Sequence, residues 1–474
     1  MVMGEFAQEV DVVVIGGGPG GYAAAFRAAD LGLEVAMVDM APRPGGVCLF
    51  EGCIPSKTLL YLTELMYDAR RAADMGVTFG VPQVDLAALR EWKGRVIDKL
   101  ADGLVHLSDK RGVQWVQAQA VFEGSDLLRL SGSELSHLKF RHAILATGSH
   151  PVPLPGSAFK EGGRVMESAG ALALQEVPET LLVVGGGYVG LELGMVYAAL
   201  GSRVTMVEMT NRLVPGADRD LARPLVARTR GVFEAIYLNT RVAGLQEHED
   251  RVDVTLEGRE GRSQQSFERV LVAIGRRPNS KEIGLESTQV AVDRRGFVVV
   301  DGQQRTADPH ILAVGDVVGG AMLAHKAMRE GKVAAEVIAG KPSAFDVRAI
   351  PAVVYTDPQL AWCGLTEEQA RQRNRPVKVA RFPWRASGRA VTMDAYDGLT
   401  KLIFDPGTER VLGVGIAGRG AGEMIAEGVL AVEMGALAQD MALTMHPHPT
   451  LSETEGEAAE VFLGHATHIL PRRK

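Results

Sequence analysis

Five short runs of apolar residues recur along the chain, and each run ends at a glycine. The runs occupy residues 11–16, 143–148, 181–185, 270–275 and 311–315. Uninterrupted apolar runs of this length are typical of strands buried on both faces, as in parallel sheets flanked by helices. Ligands bind at the carboxyl ends of such strands, where these glycines lie. The pattern therefore predicts an α/β protein with ligand sites at the strand ends.

Two of the runs open the same kind of unit, about 170 residues apart. Each is followed by the spacing GxGxxG, a helical pattern and a second apolar strand. An acid, Asp39 or Glu208, ends each second strand 18 residues after the third glycine. This repeat predicts two βαβ dinucleotide-binding units. The spaced glycines are Gly16, Gly18 and Gly21 in the first unit and Gly185, Gly187 and Gly190 in the second.

The shape of a dinucleotide explains this spacing. The first glycine permits a tight turn, the second lets pyrophosphate approach the backbone, and the third lets helix and strand pack closely. The acid can accept hydrogen bonds from a ribose diol, and Glu208 would repel a 2′-phosphate. The second unit should therefore prefer NAD to NADP. Arg203 and Arg212 lie near Glu208 in sequence and leave NADP as an alternative. Both arginines are, however, more simply explained as solvent-exposed residues at the ends of helices or loops.

The rest of the chain suggests a further domain and no membrane span. Residues 181–201 match the length of about 20 residues that a bilayer requires, but Glu192 and several glycines favour a strand, a turn and a packed helix. Beyond residue 350 no glycine fingerprint recurs. Pro351, the glycine-rich residues 413–422 and the alternating residues 399–404 indicate an α+β domain.

Composition narrows the class of protein. The 474 residues suffice for roughly three domains. The net charge is −7, and the only basic run is the short tail 472–474, so neither nucleic acid nor an anionic membrane is an expected partner. Residues 1–9 lack a basic and an apolar signal region, and three cysteines exclude a disulfide-stapled secreted fold. We therefore expect a cytoplasmic protein.

Cys48 and Cys53 lie about thirty residues after the first fingerprint. Such a pair is more often catalytic or metal-binding than structural, and no second Cys/His pair lies nearby to complete a metal site. Five residues of helix rise about 7.5 Å, whereas bonded cysteines have Cα atoms within about 6.8 Å. A disulfide here therefore needs an irregular turn. Pro55 favours a helix start, which would place Cys53 at the helix end that stabilises a thiolate.

Residues 445–453, with the sequence MHPHPTLSE, allow two interpretations. Thr450 and Glu453 fit a capping box at the start of a helix. Alternatively, a histidine oriented by a carboxylate is the base that a thiol reaction needs. The residues by themselves leave both interpretations open.

Together these residues resemble the pyridine nucleotide–disulfide oxidoreductase family over residues 11–462. Within it, the resemblance is greatest to members that oxidise protein-bound dihydrolipoyl groups for 2-oxo acid dehydrogenase complexes. It implies an α/β fold with two Rossmann-like dinucleotide-binding domains, for FAD and NAD, and a C-terminal α+β dimerisation domain. The motifs that carry the resemblance are residues 45–57, 146–149, 273–279, 315–316 and 446–453.

The same resemblance implies domain boundaries and cofactor contacts, with no metal. FAD would be bound by residues 1–152 and 280–349 and NAD by residues 153–279, and residues 350–474 would form the dimerisation domain. The implied FAD contacts are Gly16, Gly18, Gly21, Asp39, Gly46, Lys57, Gly124, Thr147, Gly148, Ser149, Asp316, Met322, Leu323, Ala324 and His325. The implied NAD contacts are Gly185, Gly187, Gly190, Glu208, Val242 and Gly275.

The resemblance also assigns roles to the sulfurs and to an ion pair. Cys48 would exchange with the dihydrolipoyl thiol, and Cys53 would face the flavin. Lys57 and Glu192 would form an ion pair beside the flavin. Tyr188 would lie over the nicotinamide or pack in the core, and the residues do not distinguish these two positions.

A base from a second copy of the chain completes the implied site. His448, oriented by Glu453, would act from the opposite subunit of a homodimer, and electrons would pass from the thiols through FAD to NAD⁺. The lipoyl group would come from a partner. That partner is either a lipoyl-bearing acyltransferase or a lipoyl domain of the glycine-cleavage H-protein type.

Departures from the family pattern leave alternatives for the substrate. Phe50 and Glu51 lie between the cysteines, so the reduction potential of the cysteine pair and its specificity for a thiol substrate can differ from those of the family. One alternative is another NAD(P)H-dependent disulfide reductase, although Glu208 disfavours glutathione reductase and the lack of cysteines after Cys363 disfavours mercuric and large thioredoxin reductases. The other is a non-catalytic flavin-binding assembly subunit. The family commonly has Thr in place of Val47, Asn in place of Phe50, Val or Thr in place of Glu51, and Ala in place of Pro447.

Overall fold

A computed structural model describes residues 7–259 and 261–470. The expectations for the start of the chain and for the basic tail at 472–474 lie outside the described residues in whole or in part. Within the described residues, five sheets organise the fold, and two of them are built around the glycine fingerprints.

The first sheet gathers seven strands from two separate parts of the chain. The strands are β1 (Ala7–Ile15), β2 (Val35–Asp39), β3 (Gln114–Gln117), β4 (Gln119–Phe122), β5 (Leu127–Ser131), β6 (His137–Leu145) and β17 (Ile311–Ala313). Their order is β3-β2-β1-β6-β5-β4, with β17 also paired to β6. β3, β2, β1, β6 and β17 are parallel, and β4 and β5 form an antiparallel extension. The associated helices are α1 (Pro19–Asp30), α2 (Gly46–Phe50), α3 (Cys53–Arg71), α4 (Leu86–Lys110) and α8 (Ala324–Ile338).

The second sheet repeats the parallel arrangement. Its strands are β8 (Val165–Met166), β9 (Thr180–Val184), β10 (Arg203–Glu208), β11 (Ala235–Leu238) and β15 (Arg269–Val272), in the order β11-β10-β9-β15-β8. Its helices are α5 (Ser168–Ala173), α6 (Tyr188–Leu200) and α7 (Arg219–Val232). A three-stranded antiparallel sheet follows β11 and consists of β12 (Arg241–Glu247), β13 (Val252–Gly258) and β14 (Gly261–Phe267). A short antiparallel pair of β7 (Ser149–Pro151) and β16 (Arg276–Pro278) joins the ends of this region.

The predicted burial of the central strands on both faces is confirmed. In β1, Val13 packs in one apolar cluster while Val12 and Val14 pack in another, and all three are fully buried. In β9, alternate residues likewise enter two clusters. All five apolar runs that end at glycine form strands, namely β1, β6, β9, β15 and β17.

The C-terminal sheet is entirely antiparallel, as an α+β region requires. Its strands are β18 (Ala352–Val354), β19 (Leu360–Gly364), β20 (Lys378–Pro383), β21 (Leu399–Phe404) and β22 (Val411–Ala417), in the order β18-β19-β22-β21-β20. Its helices are α9 (Glu367–Gln372), α10 (Gly388–Thr392), α11 (Ala421–Met434), α12 (Ala438–Leu443) and α13 (Glu453–Leu463). The expected alternation along 399–404 is wrong, because every residue after Leu399 is buried, including Lys401, which acidic neighbours neutralise.

No helix within residues 7–259 and 261–470 combines the length and apolar character needed to cross a bilayer. The stretch 181–201 forms β9, a glycine turn and α6. Glu192 lies inside α6 and is 2% exposed, as the expected packed helix implies.

Candidate active site

The two glycine loops have nearly the same geometry. Gly16 and Gly185 end β1 and β9 with φ of +107° and +110°, values that favour glycine. A Cβ at Gly21 would lie 1.8 Å from the oxygen of Gly16, and one at Gly190 would lie 2.1 Å from the oxygen of Gly185. The third glycine is therefore required in both units, because the helix starts directly against the preceding turn.

The middle glycines leave the space that a pyrophosphate needs. A Cβ added at Gly187 would meet no atom within 4 Å, and one at Gly18 would meet only the Cα of Gly46, at 4.0 Å. The N-termini of α1 and α6 open onto this space, and free N–H groups there suit phosphate. Both loops therefore fit a dinucleotide.

Each acid at the end of a second strand braces its glycine loop. Asp39 accepts from the N–H of Gly17 at 2.6 Å and of Ala41 at 2.9 Å. Glu208 accepts from the N–H of Gly186 and of Thr210, each at 2.7 Å. The remaining lone pairs of these carboxylates can accept from a ribose diol.

The arginines near Glu208 are paired elsewhere. Arg203 contacts Glu179 at 2.7 Å, at the opposite end of β10 from Glu208. Arg212 forms an ion pair with Glu368 of α9. Neither guanidinium is positioned as a free partner for a 2′-phosphate, which supports NAD over NADP.

A second group of implied FAD contacts lies where β6, β16 and β17 end. Ser149 Oγ donates to Asp316 Oδ2 at 2.5 Å, and Arg276 donates to the Ser149 hydroxyl at 2.7 Å. Thr147 Oγ1 donates to the carbonyl of Asn279 at 2.6 Å. Gly148, with φ of +73°, would meet no atom within 4 Å if it carried a Cβ. These residues form an open polar wall beside the first glycine loop.

The implied contacts at residues 322–325 lie at the start of α8. Leu323 is the N-cap residue, and His325 contacts the carbonyl of Pro351 at 2.9 Å. Glu330, further along α8, accepts from the N–H of Gly315 at 2.9 Å. This bond ties α8 to the turn that carries Asp316.

One implied contact does not join this site. Gly124 lies in the turn between β4 and β5, in the antiparallel extension of the first sheet. The residue beside Asp39 is instead Ala118, whose N–H donates to the Asp39 carbonyl at 2.9 Å. Ala118 rather than Gly124 therefore lies next to the acid that ends β2.

Two of the implied NAD contacts lie at the edges of the second loop. Val242 lies near the start of β12, two residues after Thr240, whose N–H donates to the Glu208 carbonyl at 3.0 Å. Gly275 follows β15 with φ of +128°. Tyr188 is the first residue of α6 and is 42% exposed, so the core-packing alternative for it is wrong.

The cysteine segment consists of two helices separated by a bend. Cys48 lies in α2, and Cys53 is the first residue of α3. Gly52, with φ −139° and ψ −110°, breaks the path between them. The expected irregular turn is therefore confirmed. The segment also contacts the first glycine loop, because the N–H of Gly45 donates to the carbonyl of Gly17 at 2.8 Å.

The two thiols differ in acidity. A hydrogen bond from Cys48 lowers the pKa of Cys53 to about 7, and the charge of Lys57 acts in the same direction against the effect of burial. The same contact, together with burial, raises the pKa of Cys48. Both are free thiols, with Cys53 exposed and Cys48 partly buried. Cys53 is therefore the sulfur that carries negative charge near neutral pH.

A buried ion pair lies beside Cys53. Lys57 Nζ of α3 donates to Glu192 Oε2 of α6 at 2.8 Å. Glu192 Oε1 accepts from the backbone N–H of Tyr355 at 2.9 Å. The expected pair is thus present. Tyr355 was missed, because a backbone donor leaves no signal in the sequence.

The C-terminal motif forms the expected dyad. His448 Nδ1 lies 2.8 Å from Glu453 Oε1, and the His448 side chain is 72% exposed. Burial acts to raise the pKa of Glu453, but hydrogen bonds from Thr450 N–H and His448 hold it below its usual value. The capping-box interpretation is half right. Glu453 accepts from the N–H of Thr450 as expected, but Ser452, rather than Thr450, is the N-cap of α13.

A three-acid cluster in the described residues is already neutralised by cations of the chain. Asp218, Asp220 and Glu367 have carboxylate oxygens within 4.8 Å of one another. The Lys401 ammonium is 2.7 Å from Asp218 and 2.9 Å from Asp220, and Arg381 contacts Asp220 at 2.6 Å. The cluster is therefore an ion-pair network between α7 and the C-terminal sheet.

Comparison with known proteins identifies the class. The chain matches the family described as pyridine nucleotide-disulphide oxidoreductase over residues 10–331, and the dimerisation domain of that family over residues 350–459. The chain therefore belongs to the pyridine nucleotide-disulphide oxidoreductase family. The predicted fold class and the predicted cofactors, FAD and NAD(H), are confirmed. The dimerisation domain supports the expected homodimer.

Particular relatives are more similar still. The chain is 47% identical to dihydrolipoyl dehydrogenase of Vibrio parahaemolyticus over 98% of each chain. It is 43% identical to dihydrolipoyl dehydrogenase of Geobacillus stearothermophilus over 100% of each chain. Among solved structures, it resembles the HOCl-induced flavoprotein disulfide reductase RclA from Escherichia coli, with 28% identity and a TM-score of 0.84, over 95% of this chain and 99% of that one.

Proposed function

We propose that the protein oxidises protein-bound dihydrolipoyl groups to lipoyl groups with NAD⁺, as the flavoprotein component of a 2-oxo acid dehydrogenase complex. The observation that carries this proposal is the 47% identity to a dihydrolipoyl dehydrogenase over 98% of both chains. The acidic Cys53 thiol beside Lys57 supplies a matching redox centre.

In the proposed thiol exchange, one dihydrolipoyl thiolate attacks Cys48 in the Cys48–Cys53 disulfide. A mixed disulfide forms, and Cys53 leaves as a thiolate. The second lipoyl thiol then displaces Cys48, which leaves with the proton of that thiol, so that lipoyl disulfide is released and the two electrons remain on the Cys48 thiol and the Cys53 thiolate. His448 accepts the proton of the attacking thiol at Nε2, since its Nδ1 is bound by Glu453 Oε1 at 2.8 Å.

When bound, FAD supplies a two-electron acceptor between the sulfurs and NAD⁺. The proposed FAD contacts are those implied above, without Gly124, and Lys57 and Glu192 keep a fixed pair of charges beside Cys53. NAD would lie on the second glycine loop with its ribose at Glu208. Tyr188, exposed at the start of α6, would border the nicotinamide.

The organisation of the assembly is part of the proposal. FAD would be bound by residues 1–152 and 280–349, NAD by residues 153–279, and residues 350–474 would form the subunit interface of a homodimer. The lipoyl group would come from a lipoyl-bearing acyltransferase or from a lipoyl domain of the glycine-cleavage H-protein type. The proposed compartment is the cytoplasm.

The test is NADH formation from dihydrolipoamide and NAD⁺ by the purified holoenzyme. We expect turnover in the unmodified protein and in Cys363→Ala, because Cys363 is a buried core residue at 2% exposure. Cys53→Ser should show no turnover. After two-electron reduction, a long-wavelength absorbance band from the Cys53 thiolate should develop in the first two proteins and not in Cys53→Ser.

The alternative, a reductase for another disulfide, has weaker support because identity to RclA is 28%. A holoenzyme that shows the thiolate band but does not oxidise dihydrolipoamide would overturn the proposed substrate and leave this alternative. A holoenzyme that shows neither would favour a non-catalytic assembly subunit.

A further inference from the structure

Three parts of the fold meet at the ion pair beside Cys53. Lys57 comes from α3 of the first glycine unit, Glu192 from α6 of the second, and Tyr355 directly follows β18 of the C-terminal sheet. Lys57 and Glu192 belong to the redox site already described. Tyr355 has no assigned role there, although it contacts both.

The first contact is with the carboxylate. Glu192 is 2% exposed, and a buried carboxylate needs a partner for each oxygen. Lys57 Nζ satisfies Oε2 at 2.8 Å, and the backbone N–H of Tyr355 satisfies Oε1 at 2.9 Å. The Tyr355 backbone therefore fixes the direction in which the other oxygen points.

The second contact is with the ammonium. Lys57 Nζ lies 4.8 Å from the centroid of the Tyr355 ring, within the distance of about 6 Å at which a cation is attracted to an aromatic face. The Lys57 side chain is 32% exposed, so solvent is an alternative location for its ammonium. The ring covers one side of Nζ, and Glu192 holds it from another.

The neighbouring backbone accommodates the ring closely. A Cβ added at Gly422, near the start of α11, would lie 3.2 Å from Cε1 of Tyr355. Gly422 is itself held by Gln359, whose side chain accepts from its N–H at 3.0 Å. The start of α11 therefore also lies against the ring, in addition to the contacts of Tyr355 with Lys57 and Glu192.

From these contacts we propose that Tyr355 is a positioning residue, whose ring keeps the Lys57 ammonium on Glu192 and beside Cys53. The inference deepens the proposed function, on which it rests for the identity of the reaction. Its physical consequence is that Cys53 keeps its thiolate at neutral pH only while the ring is in place. The charge of Lys57 is one of the causes that lower the pKa of Cys53, which supports this consequence.

The test compares Tyr355→Phe with Tyr355→Leu in the holoenzyme. The readout is the long-wavelength thiolate absorbance of the two-electron-reduced protein as a function of pH, which reports the ionisation of Cys53 without requiring reagent access to a sulfur that faces the flavin. Tyr355→Phe keeps the ring and should keep the midpoint of the unmodified protein, near pH 7. Tyr355→Leu should raise the midpoint by up to about one pH unit, which lowers this absorbance at about pH 6 by up to tenfold.

Gly422→Ala provides an independent variant, since its Cβ would lie 3.0 Å from Val353 Cγ1 and 3.2 Å from Tyr355 Cε1 and so crowds the ring together with its neighbour without changing it. It should shift the midpoint in the same direction as Tyr355→Leu and by a smaller amount, and it keeps the test decisive if the leucine variant does not fold. An unshifted midpoint in folded Tyr355→Leu or Gly422→Ala would overturn the proposal, as would equal shifts for Phe and Leu. Because dithionite can supply the two electrons in place of dihydrolipoamide, failure of the proposed substrate leaves this readout intact.

Discussion

The groups that stabilise the Cys53 thiolate, here called the sulfur half, and the groups that form the base, here called the base half, differ greatly in how far one chain encloses them. In the sulfur half, Cys53 lies beside the Lys57–Glu192 pair, and Glu192 is 2% exposed with both oxygens bonded. In the base half, Glu453 holds one nitrogen of His448, and that side chain is 72% exposed. One chain therefore supplies all the charged groups around the Cys53 thiolate, whereas its His448 base is exposed at the surface.

This difference follows from what each group must do. A thiolate near neutral pH needs fixed charges and a helix N-terminus, which a single chain can pack around it. A base must reach a substrate that arrives from solvent, so burial in its own chain would prevent its function. The exposed dyad lies within the dimerisation domain at residues 350–459, which fits the proposal that His448 serves a second copy of the chain.

The largest expected effect comes from removing the base. His448→Gln keeps a hydrogen-bonding side chain next to Glu453 but cannot accept a proton. We expect the rate of dihydrolipoamide oxidation to fall by about 10²–10⁴-fold, the usual contribution of a general base. The midpoint of the Cys53 thiolate band should stay near pH 7, because the groups that set this value lie in the sulfur half. A large change in this midpoint would contradict the separation of the two halves.

Mixed dimers test directly whether the halves come from different chains. Cys53→Ser and His448→Gln dimers are each expected to be inactive, and refolding or co-expressing them together should yield mixed dimers. If base and sulfur come from opposite subunits, one site of each mixed dimer is intact. About half the dimers are mixed at random, so about a quarter of normal activity should return. No recovery in dimers shown to be mixed would mean that His448 serves its own chain.

Two substitutions in the sulfur half should act in opposite directions. Lys57→Gln removes a charge that lowers the pKa of Cys53, and Glu192→Gln removes a charge that raises it. Since thiolate is lost as pH falls through about 7, the midpoint of the thiolate band should rise in Lys57→Gln and fall in Glu192→Gln. When the midpoint moves by about one pH unit, the fraction of thiolate at low pH changes about tenfold. Midpoints that move in the same direction in both variants would show that geometry, rather than charge, dominates.

The sequence predicts the local features of this molecule well, because glycine spacing and apolar runs act over short distances. The helix-breaking turn between the cysteines and the acids after β2 and β10 are of this kind. Lys57 and Glu192 are 135 residues apart, so only the family resemblance could pair them. Tyr355 acts through its backbone and ring position, for which no residue pattern exists.

Errors in the prediction have equally physical causes. Thr450 is of a residue type favoured at N-caps. Its hydroxyl instead donates to the Pro447 carbonyl at 2.7 Å, and α13 starts after Ser452. Residues 399–404, with the sequence LTKLIF, are expected to alternate between core and solvent, yet Lys401 is 1% exposed because three carboxylates surround its ammonium. In both cases tertiary partners decide an outcome that local composition leaves open.

The smallest expected effect concerns stability and compares two acids of α13. Glu453 serves the exposed dyad, whereas Glu455 is fully buried, and its oxygens have no hydrogen-bond partner among the described residues. Burial, together with the charge of Glu427, raises the pKa of Glu455 well above its usual value. The unfolded chain therefore releases this proton at lower pH than the folded one. Glu455 therefore lowers the free energy of unfolding once the pH rises above the usual pKa of glutamate, and the loss grows until Glu455 ionises in the folded chain.

Glu455→Met removes that cost while it keeps a side chain of similar length. We expect a gain in the free energy of unfolding of about 1–3 kcal/mol at neutral pH, the usual penalty for an unsatisfied buried polar group. The gain should be smaller below about pH 4, where folded and unfolded chains are both protonated and only the pH-independent cost of burying the carboxyl remains. Denaturant titrations of the holoenzyme across this pH range measure it, with Glu453→Gln as the matched control that should lose activity and gain no such stability. A gain independent of pH would assign the effect to packing, and a loss at neutral pH would mean that the partner subunit supplies Glu455 with a hydrogen-bond donor.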